Sequence, residues 1–160
     1  MLLPKEKLKV GDEKKLNALK GETMAVIALC QFDLTRCFGY PYTKDNGASL
    51  GAPLIDHLVG TYENPSRSTV AQAYDFIIET LEEAVTLMSE EKNNGRMNKY
   101  AARALLARVY LYHNDNRKAF DMAEQLIKDV DASGSYALYP HEKYVAAWSV
   151  ETKFGSESFF

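Results

Sequence analysis

The sequence predicts an all-α fold of tetratricopeptide-like helical hairpins, an α–α superhelix with one long loop insertion. The strongest observation lies between Asn98 and Val130, where an almost wholly apolar helix precedes a helix with one apolar stripe. This pairing is typical of helical-hairpin repeats, because the inner helix is buried from two directions. A second observation is that two further stretches of helical periodicity precede this pair, separated by the long segment from Tyr40 to Arg67.

The first helix is predicted from about Glu13 to Phe38, with Asp12 as its N-cap. Two apolar rows suggest that this helix is covered on two sides. The main row comprises Leu16, Leu19, Thr23, Val26, Ile27, Cys30, Leu34 and Cys37, and the second comprises Ala25, Ala28, Leu29 and Phe32. Gly39 is expected to cap the C-terminus, and Pro41 prevents continuation. Gly21 interrupts the pattern and weakens the prediction for the first turns.

The connection from Tyr40 to Arg67 contains three prolines and three glycines. Within it, Asp45-Asn46-Gly47 predicts a turn. A connection of this length inside a compact domain is unusual and is often functional. The alternative is that a short helix lies between Pro53 and Leu58.

The second helix is predicted from about Val70 to Glu91, and Thr69 with Gln72 fits a capping box. Its apolar stripe comprises Val70, Tyr74, Ile77, Ile78, Leu81, Ala84, Val85 and Met88. Its glutamates are expected on the solvated face, and they are Glu79, Glu82, Glu83 and Glu90. The Asn93-Asn94-Gly95 run is expected to end the helix.

The third helix should follow Asn98 as its cap and end near His113, which is expected to act as a capping or turn residue. The fourth helix should follow Asp115 and carry a strict helical stripe. That stripe comprises Ala119, Met122, Ala123, Leu126, Ile127 and Val130. We expect the two helices to pack through small residues, with Ala104 and Ala107 facing Ala119 and Ala123.

The pattern changes after Gly134. Residues 136–140 are predicted to be extended, because Pro140 stops regular structure. One or two helical turns are expected between His141 and Ser149, and Phe154 to Phe160 shows no clear element.

Composition excludes several classes of protein. The chain has 19 Lys and Arg against 22 Asp and Glu, for a net charge of −3, and no basic stripe, so nucleic-acid binding is not expected. An apolar fraction of 46% indicates a folded core. No run approaches the roughly 20 apolar residues of a membrane span. The first residues lack the features of a signal peptide, so the protein is either intracellular or has lost its leader.

The two cysteines, Cys30 and Cys37, fall in one predicted helix. Seven residues place them roughly 10 Å apart, beyond the reach of a disulfide. No histidine lies near them to complete a metal set. We therefore predict that both are small buried hydrophobic residues.

No catalytic, metal or cofactor site is predicted. The three histidines show no ligand spacing, and no nucleophile elbow is present. The Gly47 to Gly51 run lacks the lysine of a phosphate loop. The Asp45-Asn46-Gly47 run lacks the later acidic ligand of a calcium loop.

Aromatic residues concentrate in the long connection, where Tyr40, Tyr42 and Tyr62 are not required by helical packing. Flat aromatic rings stack on the apolar faces of sugars, and Asp45 and Asn46 can bind the hydroxyl groups beside them. Arg36 offers a further polar group. We therefore identify Tyr40, Tyr42, Asp45 and Asn46 as candidate ligand-binding residues. The alternative is that the tyrosines pin the loop to the helices.

Several segments together resemble the SusD/RagB family of nutrient-binding outer-membrane lipoproteins from Bacteroidetes. The most recognisable is NKYAARALLARVYLY, from Asn98 to Tyr112. The other matching segments are Ala28 to Tyr42, Leu50 to Leu54, Arg67 to Val70, Ala73-Tyr74, Leu81 to Ala84, and Ser156 to Phe160. They occur in the family's order and span nearly the whole chain.

The resemblance implies a tetratricopeptide-like scaffold that captures oligosaccharides or other nutrients at the cell surface, without enzymatic activity. It also implies a partner, a TonB-dependent outer-membrane transporter of the SusC type. Membrane association would come only from a lipid anchor, and neither cysteine follows a signal peptide. We expect an internal piece of a longer chain, with residues 1–135 as the helical-repeat region and residues 136–160 as the start of a truncated following segment.

The sequence disfavours two other classes of function. A tetratricopeptide adaptor that binds peptides or proteins would show further repeats of roughly 34 residues, and the segment from Tyr40 to Arg67 interrupts that period. An enzyme would need a paired base and nucleophile, and none is visible.

Overall fold

The computed structural model describes residues 13–55, 57–92, 95–143 and 145. This part of the chain forms four α-helices and one small sheet, which confirms the predicted all-α, tetratricopeptide-like fold. The elements are α1 (Glu13–Phe38), β1 (Leu50–Pro53), β2 (Arg67–Thr69), α2 (Val70–Leu87), α3 (Lys99–Tyr112) and α4 (Asn116–Ser133). Short 3-10 turns occupy Tyr42–Lys44 and His141–Lys143.

Each helix packs against its neighbours in the sequence, so α2 lies between α1 and α3 and α4 covers α3. The packing is antiparallel: Gly21 contacts the end of α2 at Met88, whereas Gly39 contacts its beginning at Val70. The largest fully buried side chains are Phe32, Ile77, Leu81, Leu106, Val70, Val109 and Thr35. The main core of the described residues therefore runs through α1, α2 and α3 and includes Ala119 of α4, and a second, small cluster joins Tyr100, Leu126 and Tyr136.

The bounds of α1 agree with the prediction, but its predicted main stripe is wrong. The residues that are buried are Gly21, Ala25, Ala28, Gln31, Phe32 and Thr35. Cys30 and Cys37 are free and exposed, so the prediction that they are buried is also wrong. The physical reason is that α2 packs on the side with small residues, where two backbones can approach closely. The described residues cover α1 on one main side rather than two, and Asp12 lies outside them.

Two glycines permit this approach, Gly21 about two turns into α1 and Gly39 directly after its last residue. A Cβ at Gly21 would lie 2.7 Å from Met88 Cγ and 2.9 Å from Ala84 O. Gly39 N donates to Thr35 O at 2.8 Å, and a Cβ at Gly39 would lie 2.9 Å from Val70 Cγ2. Gly39 ends the helix as predicted, but its φ is not positive, so it is required for space rather than for a left-handed cap.

The long connection contains two short strands that the sequence did not reveal. β1 pairs with β2 in antiparallel orientation, with Leu50 opposite Thr69 and Pro53 opposite Arg67, and a bulge lies between these pairs. The alternative of a helix from Pro53 to Leu58 is wrong for the residues described there, since none of them is helical. Strands of three and four residues are too short to show a period of two.

The capping box that begins α2 is confirmed. Gln72 N donates to Thr69 Oγ1 at 3.1 Å, and Thr69 N donates to Gln72 Oε1 at 2.9 Å. The helix ends at Leu87, four residues before the predicted end, because Met88 turns to an extended conformation. The predicted apolar stripe is buried or half-buried, and the four glutamates are exposed. Of the run expected to end the helix, Asn93 and Asn94 lie outside the described residues.

The caps of α3 and α4 agree with the prediction. Ala101 N donates to Asn98 Oδ1 at 3.0 Å, and Lys118 N donates to Asp115 Oδ1 at 3.2 Å. Arg103 is buried in α3 and pairs with Asp129 of α4 at 2.6 Å. His113 is the C-cap of α3, as predicted.

The expected contact through four alanines is only partly correct. Ala119 is buried in the core, whereas Ala104, Ala107 and Ala123 border an apolar groove of about 580 Å³. We call this the α3–α4 groove, and its other lining residues are Leu126, Ile127, Val130, Asp131, Tyr136, Ala137 and Leu138. Ala102 of α3 is instead fully buried and belongs to the main core.

After Gly134, the left-handed C-cap of α4, the chain returns along α3. Tyr136 is buried against Tyr100, with ring centres 6.0 Å apart, and its hydroxyl accepts a hydrogen bond of 2.7 Å from Asn98 Nδ2. The 3-10 turn at His141–Lys143 begins where a helical turn was predicted. The rest of that predicted turn and the segment from Phe154 to Phe160 lie outside the described residues.

Candidate functional site

The candidate site lies in the segment from Gly39 to Ser49, which folds against the beginning of α2. Val70 N donates to Ser49 O and Ala71 N donates to Gly47 O, each at 2.9 Å. These are N–H groups at the helix start that have no intrahelical partner. The loop therefore caps α2 with its own carbonyls and takes a fixed position relative to the helices.

The turn predicted at Asp45-Asn46-Gly47 is confirmed. Gly47 N donates to Tyr42 O at 3.1 Å, and Asn46 and Gly47 adopt positive φ values of 54° and 74°. A Cβ at Gly47 would lie 2.7 Å from the Tyr42 ring and 2.7 Å from Ala71 N. Both the backbone conformation and the available space therefore require glycine at this position.

Tyr42 is a packing residue. Its half-buried ring lies 5.7 Å from the Tyr74 ring and 4.3 Å from the His113 ring, between centroids. Burial raises the pKa of Tyr74 to about 12, so its hydroxyl stays neutral in this cluster. These contacts favour the alternative explanation for Tyr42, that it pins the loop to the helices.

Tyr40 and Tyr62 are placed differently from Tyr42. The side chain of Tyr40 is 57% exposed, and Lys44 Nζ lies 3.0 Å from the centre of its ring. This cation–π contact orients the ring at the surface. Tyr62 is 96% exposed. Both rings are thus accessible, but only Tyr40 belongs to the anchored segment.

The two carboxylate oxygens of Asp45 differ in their hydrogen bonds. The Ser49 hydroxyl donates to Asp45 Oδ2, and this hydrogen bond holds the pKa of the Asp45 carboxyl below its usual range. The other oxygen, Oδ1, is buried and has no hydrogen-bond partner. Asn46 is exposed beside it. The carboxylate is therefore ionised at neutral pH, and its unpaired oxygen is covered by the surrounding loop.

The structure places Arg36 away from the role suggested for it. Its guanidinium carbon lies 5.3 Å from the Phe32 ring centre and 4.9 Å from that of Tyr112, and Nη1 donates to Asp33 at 3.2 Å. Arg36 therefore covers the aromatic end of the core, and its part in ligand binding stays a prediction.

Arg67 is a positioning residue that the sequence analysis missed. Its guanidinium donates to Gly51 O at 2.6 Å, Leu50 O at 2.9 Å and Phe38 O at 3.3 Å. One side chain thus ties the end of α1 to both strands. An arginine in a polar connection gives no sequence signal that distinguishes this role from an exposed charge.

A shallow cleft beside β2 and the first turns of α2 was also not predicted from the sequence. It has a volume of about 490 Å³, and its floor includes the half-buried Phe76. Its remaining lining residues are Leu54, Ser66, Arg67, Ser68, Gln72, Asp75 and Glu79. The only sequence signal is that Gln72, Asp75, Phe76 and Glu79 share one face of α2.

The part of the chain that the structure describes was compared with the requirements of a membrane span and of a metal site. None of the helices there is both long enough and apolar enough to cross a membrane. In the same residues, no three His, Cys, Asp or Glu side chains are grouped so that they could hold a metal ion.

Comparison with known proteins identifies the family. Residues 2–111 match the family model for SusD-like proteins, described as starch-binding and associating with the outer membrane. The chain therefore belongs to the SusD-like family, as its sequence segments predicted. No curated protein matches the chain significantly.

Solved structures show the same relationship. A SusD superfamily protein from Bacteroides vulgatus is 92% identical, with a TM-score of 0.93 over 97% of this chain and 35% of its own. One from Bacteroides thetaiotaomicron is 42% identical, with a TM-score of 0.88 over 96% of this chain and 33% of its own. A SusD-like carbohydrate-binding protein from B. vulgatus is 26% identical, with a TM-score of 0.75 over 89% and 30%. The chain thus spans about a third of the length of these relatives.

Proposed function

We propose that this chain is the helical-repeat portion of a surface glycan-binding protein that works with a TonB-dependent transporter of the SusC type. The observation that carries the proposal is the match of residues 2–111 to a starch-binding, outer-membrane-associating family. The protein would be held at the cell surface by a lipid anchor. It would bind its oligosaccharide without transforming it.

Within this chain, we assign glycan contact to the loop that carries Tyr40, Asp45 and Asn46. The exposed Tyr40 ring can stack on the apolar face of a sugar, and the exposed Asn46 amide can bind its hydroxyl groups. Asp45 supports this contact from within the turn, where it accepts a hydrogen bond from the Ser49 hydroxyl and its other oxygen is buried. Tyr42 acts indirectly, because its packing on Tyr74 and His113 fixes the loop. The hydrogen bonds between the loop and α2 make this arrangement rigid before ligand arrives.

The test of glycan contact uses the full-length protein. Calorimetry would measure its affinity for a starch-type malto-oligosaccharide and for a laminarin oligosaccharide, and a thermal melt would be recorded for each variant. Tyr40→Ala should lower affinity about ten-fold, equivalent to about 1.4 kcal/mol, with an unchanged melting temperature. Tyr42→Ala should lower both affinity and melting temperature, since its ring is packed.

The matched control is Phe120→Ala, which removes a 60% exposed aromatic ring from α4, far along the chain from the loop. Affinity should stay at the parent value in this variant. Unchanged affinity in Tyr40→Ala would show that the loop does not hold the glycan. Failure of the parent protein to bind any oligosaccharide would contradict glycan binding itself.

The transporter partnership has a separate test. The full-length protein, tagged in a Bacteroides host, would be purified from detergent-solubilised outer membranes. We expect a TonB-dependent transporter to co-purify in a fixed ratio. Recovery from the outer membrane without any transporter would contradict the partnership while leaving glycan binding intact.

A further inference from the structure

The shallow cleft beside β2 and the first turns of α2 combines an aromatic ring with polar side chains, and we call it the α2 cleft. Phe76 is half-buried on its floor, while Gln72, Asp75 and Glu79 are exposed around it. Residues three and four apart are neighbours on a helix, so these side chains form one continuous surface on α2. At about 490 Å³, the cleft has a volume within the range of roughly 300–1,000 Å³ that is usual for small-molecule sites.

The acidic side chains of the α2 cleft carry unused hydrogen-bond acceptors. Among the residues that the structure describes, Asp75 and Glu79 form neither an ion pair nor a hydrogen bond with another side chain. By contrast, Glu83 on the same helix pairs with Lys20 at 2.8 Å. An ionised carboxylate accepts through two oxygens, and hydrogen bonds to a charged group are stronger than those between neutral groups. Two carboxylates with free acceptor capacity therefore line the cleft.

Hydrogen-bond donors line the same cleft. Gln72 Oε1 accepts from Thr69 N at 2.9 Å, which fixes the amide and leaves its nitrogen without a partner in the described part of the chain. Arg67 donates through Nε and Nη2 to three backbone carbonyl oxygens, and its Nη1 forms no hydrogen bond with the described residues. Contacts with the scaffold therefore hold both donors in place before a ligand arrives.

The lining of the α2 cleft matches the chemistry of an uncharged sugar. A sugar hydroxyl both donates and accepts hydrogen bonds, and the C–H face of a sugar ring stacks on a flat aromatic side chain. The cleft offers all three contacts, because the Phe76 ring lies beside the carboxylates and the donors of Gln72 and Arg67. An acidic sugar would be repelled by the like charges of Asp75 and Glu79. The ligand class that fits is therefore a neutral oligosaccharide.

We propose that the α2 cleft is a second carbohydrate subsite, separate from the loop that carries Tyr40, and that it binds a neutral sugar residue. The Phe76 ring stacks on the sugar, Asp75 and Glu79 accept hydrogen bonds from its hydroxyl groups, and Gln72 donates to a further hydroxyl. This inference rests on the proposed function, because it requires that the full-length protein binds a glycan. It extends that function by placing sugar contacts on α2.

Isosteric substitutions test the two acceptors. Asp75→Asn and Glu79→Gln would be combined in the full-length protein, and calorimetry would measure affinity for the malto-oligosaccharide and the laminarin oligosaccharide. Because both side chains are exposed, the melting temperature should stay unchanged. Affinity for the oligosaccharide that the parent binds should fall about ten-fold, since charge-assisted hydrogen bonds are lost. The matched control is Glu83→Gln, an exposed position on α2 outside the cleft, which should keep the parent affinity.

A fluorescent reporter tests contact with the aromatic floor directly. Phe76→Trp keeps an aromatic ring in the cleft, and its emission, after subtraction of the parent's emission, should change as oligosaccharide is added. The change should saturate at the dissociation constant found by calorimetry for the same variant. Phe120→Trp on α4 is the control, and its emission should not respond.

The results separate this subsite from the proposed function. Parent affinity in the double variant would overturn the proposal, and so would an unresponsive tryptophan at position 76. If Tyr40→Ala loses affinity in the same experiments, glycan binding stands and only the α2 subsite is contradicted. A parent protein that binds no oligosaccharide would contradict both. Tighter binding of an oligogalacturonate than of either neutral oligosaccharide would overturn the assigned ligand class.

Discussion

Gly21 shows how a single missing methyl group sets the distance between two helices. In a solvent-exposed helix, replacing glycine with alanine stabilises by about 0.5–1 kcal/mol. Here the new Cβ would lie 2.7 Å from Met88 Cγ and 2.9 Å from a backbone oxygen. We expect Gly21→Ala to lower the free energy of unfolding by about 1–3 kcal/mol, since α1 must move away from α2.

Urea unfolding would measure this effect, with Thr23→Ala as the control. Thr23 is exposed two residues further along α1, so its replacement should change stability by no more than about 0.5 kcal/mol. A stabilised Gly21→Ala variant would show that the close approach of the helices is not needed.

The ion pair between Arg103 and Asp129 makes stability depend on pH. Hydrogen bonds from Arg103 and Gln125 hold the pKa of the Asp129 carboxyl below its usual range. A lowered pKa in the folded state contributes stability above the unfolded pKa and is lost as pH falls through the folded value. Asp129→Asn should therefore be less stable than the parent at pH 7, and this difference should shrink below about pH 4.

Urea unfolding at pH 7 and pH 3 checks this expectation. The control is Asp121→Asn, which breaks an exposed pair with Arg117 and should change stability little at either pH. A stability difference for Asp129→Asn that is equal at both pH values would contradict the assigned role of the carboxylate.

At the scale of single elements, α3 offers two alanines in contrasting surroundings. Ala102 is fully buried in the core, whereas Ala107 is half-buried beside the α3–α4 groove. Ala102→Leu should overpack and cost about 1–3 kcal/mol, while Ala107→Leu has room in the groove and should cost less than about 0.5 kcal/mol. Chemical denaturation of the two variants measures both free energies of unfolding. Equal losses of stability would contradict the difference in packing.

The elements show where sequence reasoning succeeds. The N-caps were predictable, because Thr69, Asn98 and Asp115 act through neighbours within three residues, whereas the end of α2 was predicted four residues too late. The buried side of α1 was not predictable from the sequence, because Gly21 and Ala25 pack on a helix that begins at least 45 residues further along the chain. A sequence stripe is assigned from its large apolar residues, but in α1 the small residues face the core.

The candidate site was predictable only in part, for the same reason. The turn at Asp45 to Gly47 follows from local residue preferences and is present. Whether a tyrosine packs or faces solvent depends on distant partners: Tyr42 meets His113 across 71 positions of sequence, and Tyr40 does not. The role of Tyr40, Asp45 and Asn46 in binding stays a prediction, and so does the division of the chain at residue 135.

At the scale of the whole molecule, the residues that the structure describes expose two apolar surfaces. One is the side of α1 that carries Leu19, Val26 and Leu34, each at least 43% exposed. The other is the α3–α4 groove, where Ile127 is 62% and Leu138 is 86% exposed. We expect the isolated chain to bind a dye specific for apolar surface and to self-associate at high concentration. Sedimentation and dye fluorescence would test this against the full-length protein, which should do neither. A strict monomer without dye binding would contradict the expectation.

The paired strands β1 and β2 have a consequence for how such proteins diversify. Because Pro53 sits opposite Arg67, the chain leaves the scaffold after Pro53 and returns to it at Arg67, at neighbouring points. Lengthening an excursion whose ends are already joined costs little, about 0.6 kcal/mol for each doubling of its length. New sequences can therefore be exchanged into this segment while the helices beneath stay unchanged. The segment between the two paired strands can therefore change in sequence and length at little cost to the stability of the fold.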